Sequence, residues 1–244
     1  MPAHISFCLR RLGVILLGVL SGHAPAQVRV TTSLSLSEGP AANVLNVTLS
    51  ALGIEDEESS DLSGAVEATL EINPGMDQVS KLTINSANLS ATDMAFSLML
   101  GQISVAEVNL NGIEATIATS QVGRVDPVTG QFDAGEHEVT LNEGVITGSS
   151  VVGEVSENFS ATPVSGAGSG TGEVALSRMA IEGNTVTYNV VVVLPVEFSN
   201  PLQDGVEVRV SSVVQFEGEI EVPLDPFASL SLIHISEPTR RYSI

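Results

Sequence analysis

Two short stretches concentrate the oxygen ligands of this chain. Glu55, Asp56, Glu57, Glu58 and Asp61 lie in EDEESSD (55–61), and Asp126, Asp133, Glu136 and Glu138 lie in RVDPVTGQFDAGEHE (124–138). Carboxylates at this density suit calcium, a hard cation that takes roughly six to eight oxygens. Neither stretch has EF-hand spacing, and a charge run is most often a solvated turn. The expectation is therefore weak calcium binding, with Glu55, Asp56, Glu58, Asp61, Asp126 and Asp133 as candidate ligands and no other cofactor. Asp126-Pro127-Val128-Thr129-Gly130 also reads as a simple turn, with Pro fixing φ and Gly taking the left-handed position.

Acid–base chemistry has little to work with. His4, His23 and His234 lie near the two ends, which leaves His137 as the candidate general base. A Ser-His-Asp hydrolase would set it beside a nucleophile on a strained elbow, and no Gly-x-Ser-x-Gly precedes a helical pattern here. Its setting among Glu136, Glu138 and glycines predicts a solvated loop residue. A glycosidase could use two of the many carboxylates, but such enzymes bind sugars on aromatic platforms. The chain has no Trp, and Tyr188 falls on an apolar strand face. These inventories point away from an enzyme.

The ends read as separate from the body. Arg10 and Arg11, the apolar run LGVILLGVL (12–20) and Ala24-Pro25-Ala26 form the three regions of a cleaved export signal over residues 1–26. The apolar run is far shorter than the stretch a membrane-spanning helix needs. Cys8, the sole cysteine, precedes it, so cleavage would leave no thiol for disulfides, catalysis or zinc. At the other end, LSLIHISEPTR (230–240) translates, in frame and without a break, a sequence resembling the transposon-end adapter of sequencing libraries. Residues 230–244 are expected not to be biological, and the natural C-terminus, with any surface attachment, to lie beyond this chain.

The remaining body, 27–229, reads as one exported domain. The chain has 244 residues and a formal charge of −20, and the body keeps only Arg29, Lys81, Arg124, Arg178 and Arg209 as bases. So negative a surface repels phosphate backbones and anionic lipid, which excludes a nucleic-acid partner. Apolar residues make up 43% against 4% aromatic, so the core must be aliphatic. Three Asn-x-Ser/Thr tripeptides, at Asn46, Asn88 and Asn158, match the glycosylation acceptor pattern and have meaning only in a source that glycosylates.

Alternation sets the fold class. In VTYNVVVVLPVEF (186–198) and VEVRVSSVVQFEGEIEV (206–222) apolar residues recur at every second position, which predicts a long antiparallel hairpin turned by Asn200-Pro201 and Asp204-Gly205. VRVTTSLSL (28–36), VLNVTLSAL (44–52) and AVEATLEI (65–72) alternate as well. ATDMAFSLMLGQI (91–103) is readable as a short helix or as another strand. LTINSANL (82–89), VNLNGIEA (108–115), VTLNEGVI (139–146) and VALSRMAI (174–181) share one template whose alternation slips by a residue at the centre. Each slip predicts a bulge or a two-residue turn, with Asn111-Gly112 the best turn candidate. EDEESSD, 124–138 and the glycine-rich TPVSGAGSGTG (162–172) are expected to be loops, the last a flexible one or a boundary between two sheets. The whole implies an all-β protein, a sandwich or barrel of roughly ten antiparallel strands. By class it would be a non-enzymatic exported or surface domain with a structural, adhesive or binding role. The alternatives are a barrel carrying an apolar, lipid-like ligand and, after it, an outer-membrane barrel.

Overall fold

Alternating aliphatic and polar residues become strands throughout. The computed structural model describes residues 27–37, 43–151, 153–203 and 206–224. The export signal, the Asp204-Gly205 pair and the 230–244 tail lie outside them. The described strands are β1 (Val28–Leu36), β2 (Val44–Ala51), β3 (Ile54–Asn73), β4 (Gln78–Ala91), β5 (Met94–Leu100), β6 (Ile103–Thr119), β7 (Gln131–Asp133), β8 (His137–Ser150), β9 (Gly153–Asn158), β10 (Val164–Ala167), β11 (Thr171–Glu182), β12 (Thr185–Gln203) and β13 (Val206–Pro223). They form one antiparallel sheet in the order β10-β8-β6-β4-β3-β1-β13-β12-β11-β7, with β2, β5 and β9 alongside. The fold is all-β, with thirteen described strands where roughly ten were expected.

The long hairpin is present, but it turns later than expected: Asn200 and Pro201 are part of β12, opposite Val208 and Glu207. Val186 faces Val222, Tyr188 faces Ile220, Val192 faces Phe216 and Leu194 faces Val214, and all eight are buried. Each such aliphatic or aromatic side chain is worth about 1.5–3 kcal/mol over an exposed one, which makes this hairpin the centre of the core. Gly218 sits opposite Val190, where a Cβ would come within 2.9 Å of the Leu34 side chain. Pro195 interrupts β12 without cost to that ladder. Its carbonyl accepts from Ser169 N at 3.0 Å, on the side away from β13, and the N–H it lacks would point the same way.

All four slipped templates are bulges, and none is a turn. The register shifts at Asn85 in β4, between Asn111 and Glu114 in β6, at Asn142 in β8 and at Met179 in β11. Asn111-Gly112 is thus no hairpin. It lies inside one continuous strand, with Gly112 at φ +64. The left-handed residue that would close a tight turn equally makes a bulge, and pairing with β8 decides between them.

Three expected loops or helices are strands. EDEESSD forms the first part of β3, with Glu58 opposite Val47 and Asp56 opposite Leu49. Residues 94–100 are β5, paired to β6. The glycine-rich 162–172 segment contains β10 and the start of β11, and its glycines mark contact, not flexibility. A Cβ at Gly166 would fall on the Phe198 ring, one at Gly172 on the Phe132 ring, and one at Gly168 on the Ala134 carbonyl.

Several strands continue one another. β2 pairs with 54–61 of β3 and β1 with 65–72, and β13 likewise takes β2 and then β1. The two short strands therefore occupy a single lane with 38–42 inserted. β4 and β5 share a lane along β6, and β10 and β9 share one along β8. A side chain closes each gap. Asn43, buried at φ +66, donates from Nδ2 to the Ser37 and Gln215 carbonyls (2.9 and 3.2 Å) and accepts from Gln215 N at Oδ1 (2.7 Å). Asp93 accepts from the bulged Gly112 N at 2.9 Å. Phe159, 2% exposed, lies over Gly144, the template position that lacks a side chain.

Replacing Asn43 by Ala strands the Gln215 N–H and places a β-carbon residue at positive φ without its compensating bonds. Urea unfolding should show a loss of about 2–4 kcal/mol. Gly166→Ala, at an ordinary φ, should cost about 1–3 kcal/mol by crowding Phe198 alone. A change under 0.5 kcal/mol in either, roughly that of an ordinary surface substitution, would refute the role given to that residue.

Candidate functional site

Strand geometry separates the first acidic run. Successive side chains of a strand point to opposite faces. Glu55, Glu57 and Asp61 are exposed, whereas Asp56 and Glu58 are half-buried on the face shared with Ser60. Asp56 Oδ2 already accepts from Ser97 N at 2.7 Å, which ties β5 to β3. The second run is committed to backbone. Asp126 Oδ1 accepts from Val128 N and Thr129 N (2.8 and 3.3 Å), which makes the expected turn. Asp133 caps one turn of 3-10 helix (Ala134–Glu136) by accepting from Gly135 N at 2.9 Å. Glu136 Oε2 accepts from Gly123 N and Arg124 N (2.5 and 3.2 Å). Among the described residues no group of three or more His, Asp or Glu side chains is placed to hold a metal ion.

His137 is the opposite of the solvated loop residue expected. It opens β8 with 0% exposure. Phe132 packs edge-on against its ring at a centroid distance of 5.1 Å, and Nδ1 lies 2.9 Å from Thr119 Oγ1. That hydroxyl also accepts from Ile84 N at 2.7 Å, and Nε2 has no partner among the described residues. Burial lowers the imidazole pKa below its ordinary value, and the opposing charges of Glu136 and Asp133 do not make up the difference. The ring is neutral at pH 7, with no open face for a substrate.

A second polar cluster was not foreseen. Tyr188, fully buried in β12, donates to Asp77 Oδ1 at 2.6 Å and lies 3.2 Å from the Pro74 carbonyl. Arg178, beside the β11 bulge, donates to the same two acceptors and forms an ion pair with Asp77. The cluster fastens the β3–β4 turn to β11 and β12. Burial pushes the Tyr188 hydroxyl up to about 12, helped by its bond to Asp77 and that carboxylate's charge. For Asp77 burial acts upward, but the hydrogen bonds from Tyr188 and Arg178 and the Arg178 charge outweigh it and leave the carboxyl below its usual range. Its parts lie more than 100 residues apart, so no spacing rule could have joined them.

Apolar interior space is small. A cavity of about 30 Å³ lies between Leu45, Leu89, Ile117, Leu141, Phe198 and Val210, among others, and Ser212 is the one polar residue of its lining. That is about the volume of a water molecule in the liquid. No protein-family model, curated protein or solved structure matches the chain. What is defined at this point is an all-β, antiparallel protein in which Asp126, Asp133 and Glu136 bond to its own backbone.

Two measurements test the Tyr188 cluster. In an absorbance titration, Tyr188 should ionise near pH 12 and an exposed tyrosine near 10. Because the folded state holds the proton more tightly, this contribution to stability is intact below pH 10 and is lost as pH rises toward 12. Tyr188→Phe should destabilise by about 1–2 kcal/mol, through the lost hydrogen bond to Asp77. Ionisation of Tyr188 near 10 in the folded protein would refute its enclosure.

Proposed function

We propose that this chain is a non-enzymatic exported or cell-surface β domain with a structural, adhesive or binding role. One observation carries the reading: the acids and the histidine singled out between 126 and 137, and the Tyr188–Asp77 pair, are held within the fold. Asp126, Asp133 and Glu136 hold turns, His137 is sealed behind Phe132, and Tyr188 and Asp77 bind each other. The export signal read from residues 1–26 supports the location, and the exposed acids support a solvated surface. Glu217, Glu219 and Glu221 recur along the outer face of β13, all exposed. Such a row suits water better than the apolar band of an outer-membrane barrel. Among the described residues no helix is long and apolar enough to cross a membrane.

The carrier of an apolar ligand is the second reading, favoured by the apolar lining of the interior cavity. A lipid-like ligand needs several hundred Å³, so about 30 Å³ would have to open widely. Weak calcium association belongs to neither reading and would involve the exposed carboxylates.

Expression of residues 1–244 in a secretion-competent host tests the first reading. The expected product is extracellular or surface-bound, accessible to added protease, and begins at Gln27 by mass spectrometry. A product that keeps Met1 and stays in the cytosol would overturn it. Titration of the purified domain with a fluorescent fatty acid should show no saturable binding, and stoichiometric binding would favour the carrier instead.

A further inference from the structure

His137 occupies a junction. Ser120 N and Oγ both donate to the Glu136 carbonyl (2.9 and 3.1 Å), Gly168 N donates to the His137 carbonyl (2.9 Å), and Ala134 N donates to Gly170 (3.0 Å). The segment from Ser120 to Glu136 is further held by Leu82 N to the Gly123 carbonyl and Val125 N to the Ser80 carbonyl (2.8 and 3.1 Å). It therefore lies as a flap between β6 and β8, contains the short strand β7 at the end of the sheet, and covers the ring with Phe132.

We propose that His137 is the trigger of an acid-operated flap: protonation of its buried, half-bonded ring releases the 120–136 segment while the β12–β13 hairpin stays folded.

A neutral ring leaves only Nε2 without a partner among the described residues. An imidazolium carries two donors and a charge. Thr119 Oγ1, which accepts from Ile84 N, can take the Nδ1 proton on its second lone pair, but the Nε2 N–H then faces no acceptor among the described residues. The charges acting on the ring are the carboxylates of Glu136, on the flap itself, and of Asp133. β6 presents the Thr119 hydroxyl, β4 reaches the site through its Ile84 N–H, and the 168–170 segment contributes backbone groups. A buried, unpaired cation is relieved when water reaches it, and releasing the segment exposes Val125, Phe132 and Ala134 and unpairs β7 from β11, a smaller loss than opening the whole buried cluster. Because the folded ring binds its proton more weakly than an exposed one, the flap is stable above pH 6.5 and loosens as pH falls below it.

Amide hydrogen exchange, corrected for intrinsic pH dependence, reads this directly. Between pH 7.5 and 5.5 the protection of Gly123, Arg124 and Ala134 should fall about tenfold, the order set by one pH unit below the exposed pKa, while Val192 and Leu194, whose amides face β13, hold theirs. In His137→Gln, flap protection should no longer depend on pH. Unchanged wild-type protection, an equal fall in β12–β13, or pH dependence that survives in His137→Gln would each overturn the proposal. If that variant does not fold, NMR titration of the wild-type His137 ring decides: its midpoint must lie below 6.5 and coincide with flap loosening. A midpoint at or above 6.5 would overturn it.

Discussion

The constraint on which the rest depends is that every backbone donor and acceptor along a paired edge must find a partner. A long strand is the simplest solution, but this chain fills three of its lanes with strands that stop and resume. At each stop something other than the ladder must satisfy the neighbours. Asn43 does so with an amide that imitates a peptide group, Asp93 with a carboxylate on a bulged glycine, and Phe159 with its own N–H, which donates to the Gly144 carbonyl while its ring covers that glycine. Asn suits its place for two reasons. Its side chain both donates and accepts, and it tolerates the left-handed backbone that brings the chain back into line.

Charge is arranged with the same economy. Some bases of the body face a carboxylate across the sheet, whereas Arg209 faces Thr48 and Ser199, and Arg124 faces Lys81. Arg29 lies opposite Glu71, which lies opposite Lys81, so a row of alternating sign crosses β1, β3 and β4. Arg178 is placed where β11 bulges toward the β3–β4 turn. On the outer face of those strands Thr31, Thr69 and Asn85 form a hydrogen-bonded line that continues to Glu67. Thr69 is buried there, although it points away from the core. The polar face is thus knitted rather than merely wetted. Exposed cross-strand pairs of this kind add modest energies individually, about 0.2–1 kcal/mol, and act mainly by fixing register.

Much of the fold was legible in the sequence, because alternation reports which face a residue occupies, and the β12–β13 hairpin follows from it although its turn does not. The errors have a common cause. EDEESSD looks like a loop by composition, yet β2 and β3 pair through it because half of its side chains need only reach water. The glycines of 162–172 look flexible, but aromatic rings from distant strands require the absence of a Cβ there. Asn111-Gly112 offers a local geometry that serves turn and bulge alike. For His137 the neighbouring sequence pointed outward, while Thr119 and Phe132, supplied by tertiary contact, enclosed it. The Tyr188 cluster left no sequence signal, since its members meet only once three strands and a turn are in place.

The resumed lanes have a consequence for how this architecture can vary. Ser37 and Asn43 are joined across their gap by a direct side-chain bond, and β2 continues in the direction of β1 between the same two neighbours. The register on either side is therefore fixed by the flanking strands and not by the residues that connect them. The pairs that Ser35, Leu36 and Leu45 make with β13 are thus set by that strand, so a change in the length of chain between Ser37 and Asn43 would leave them in place.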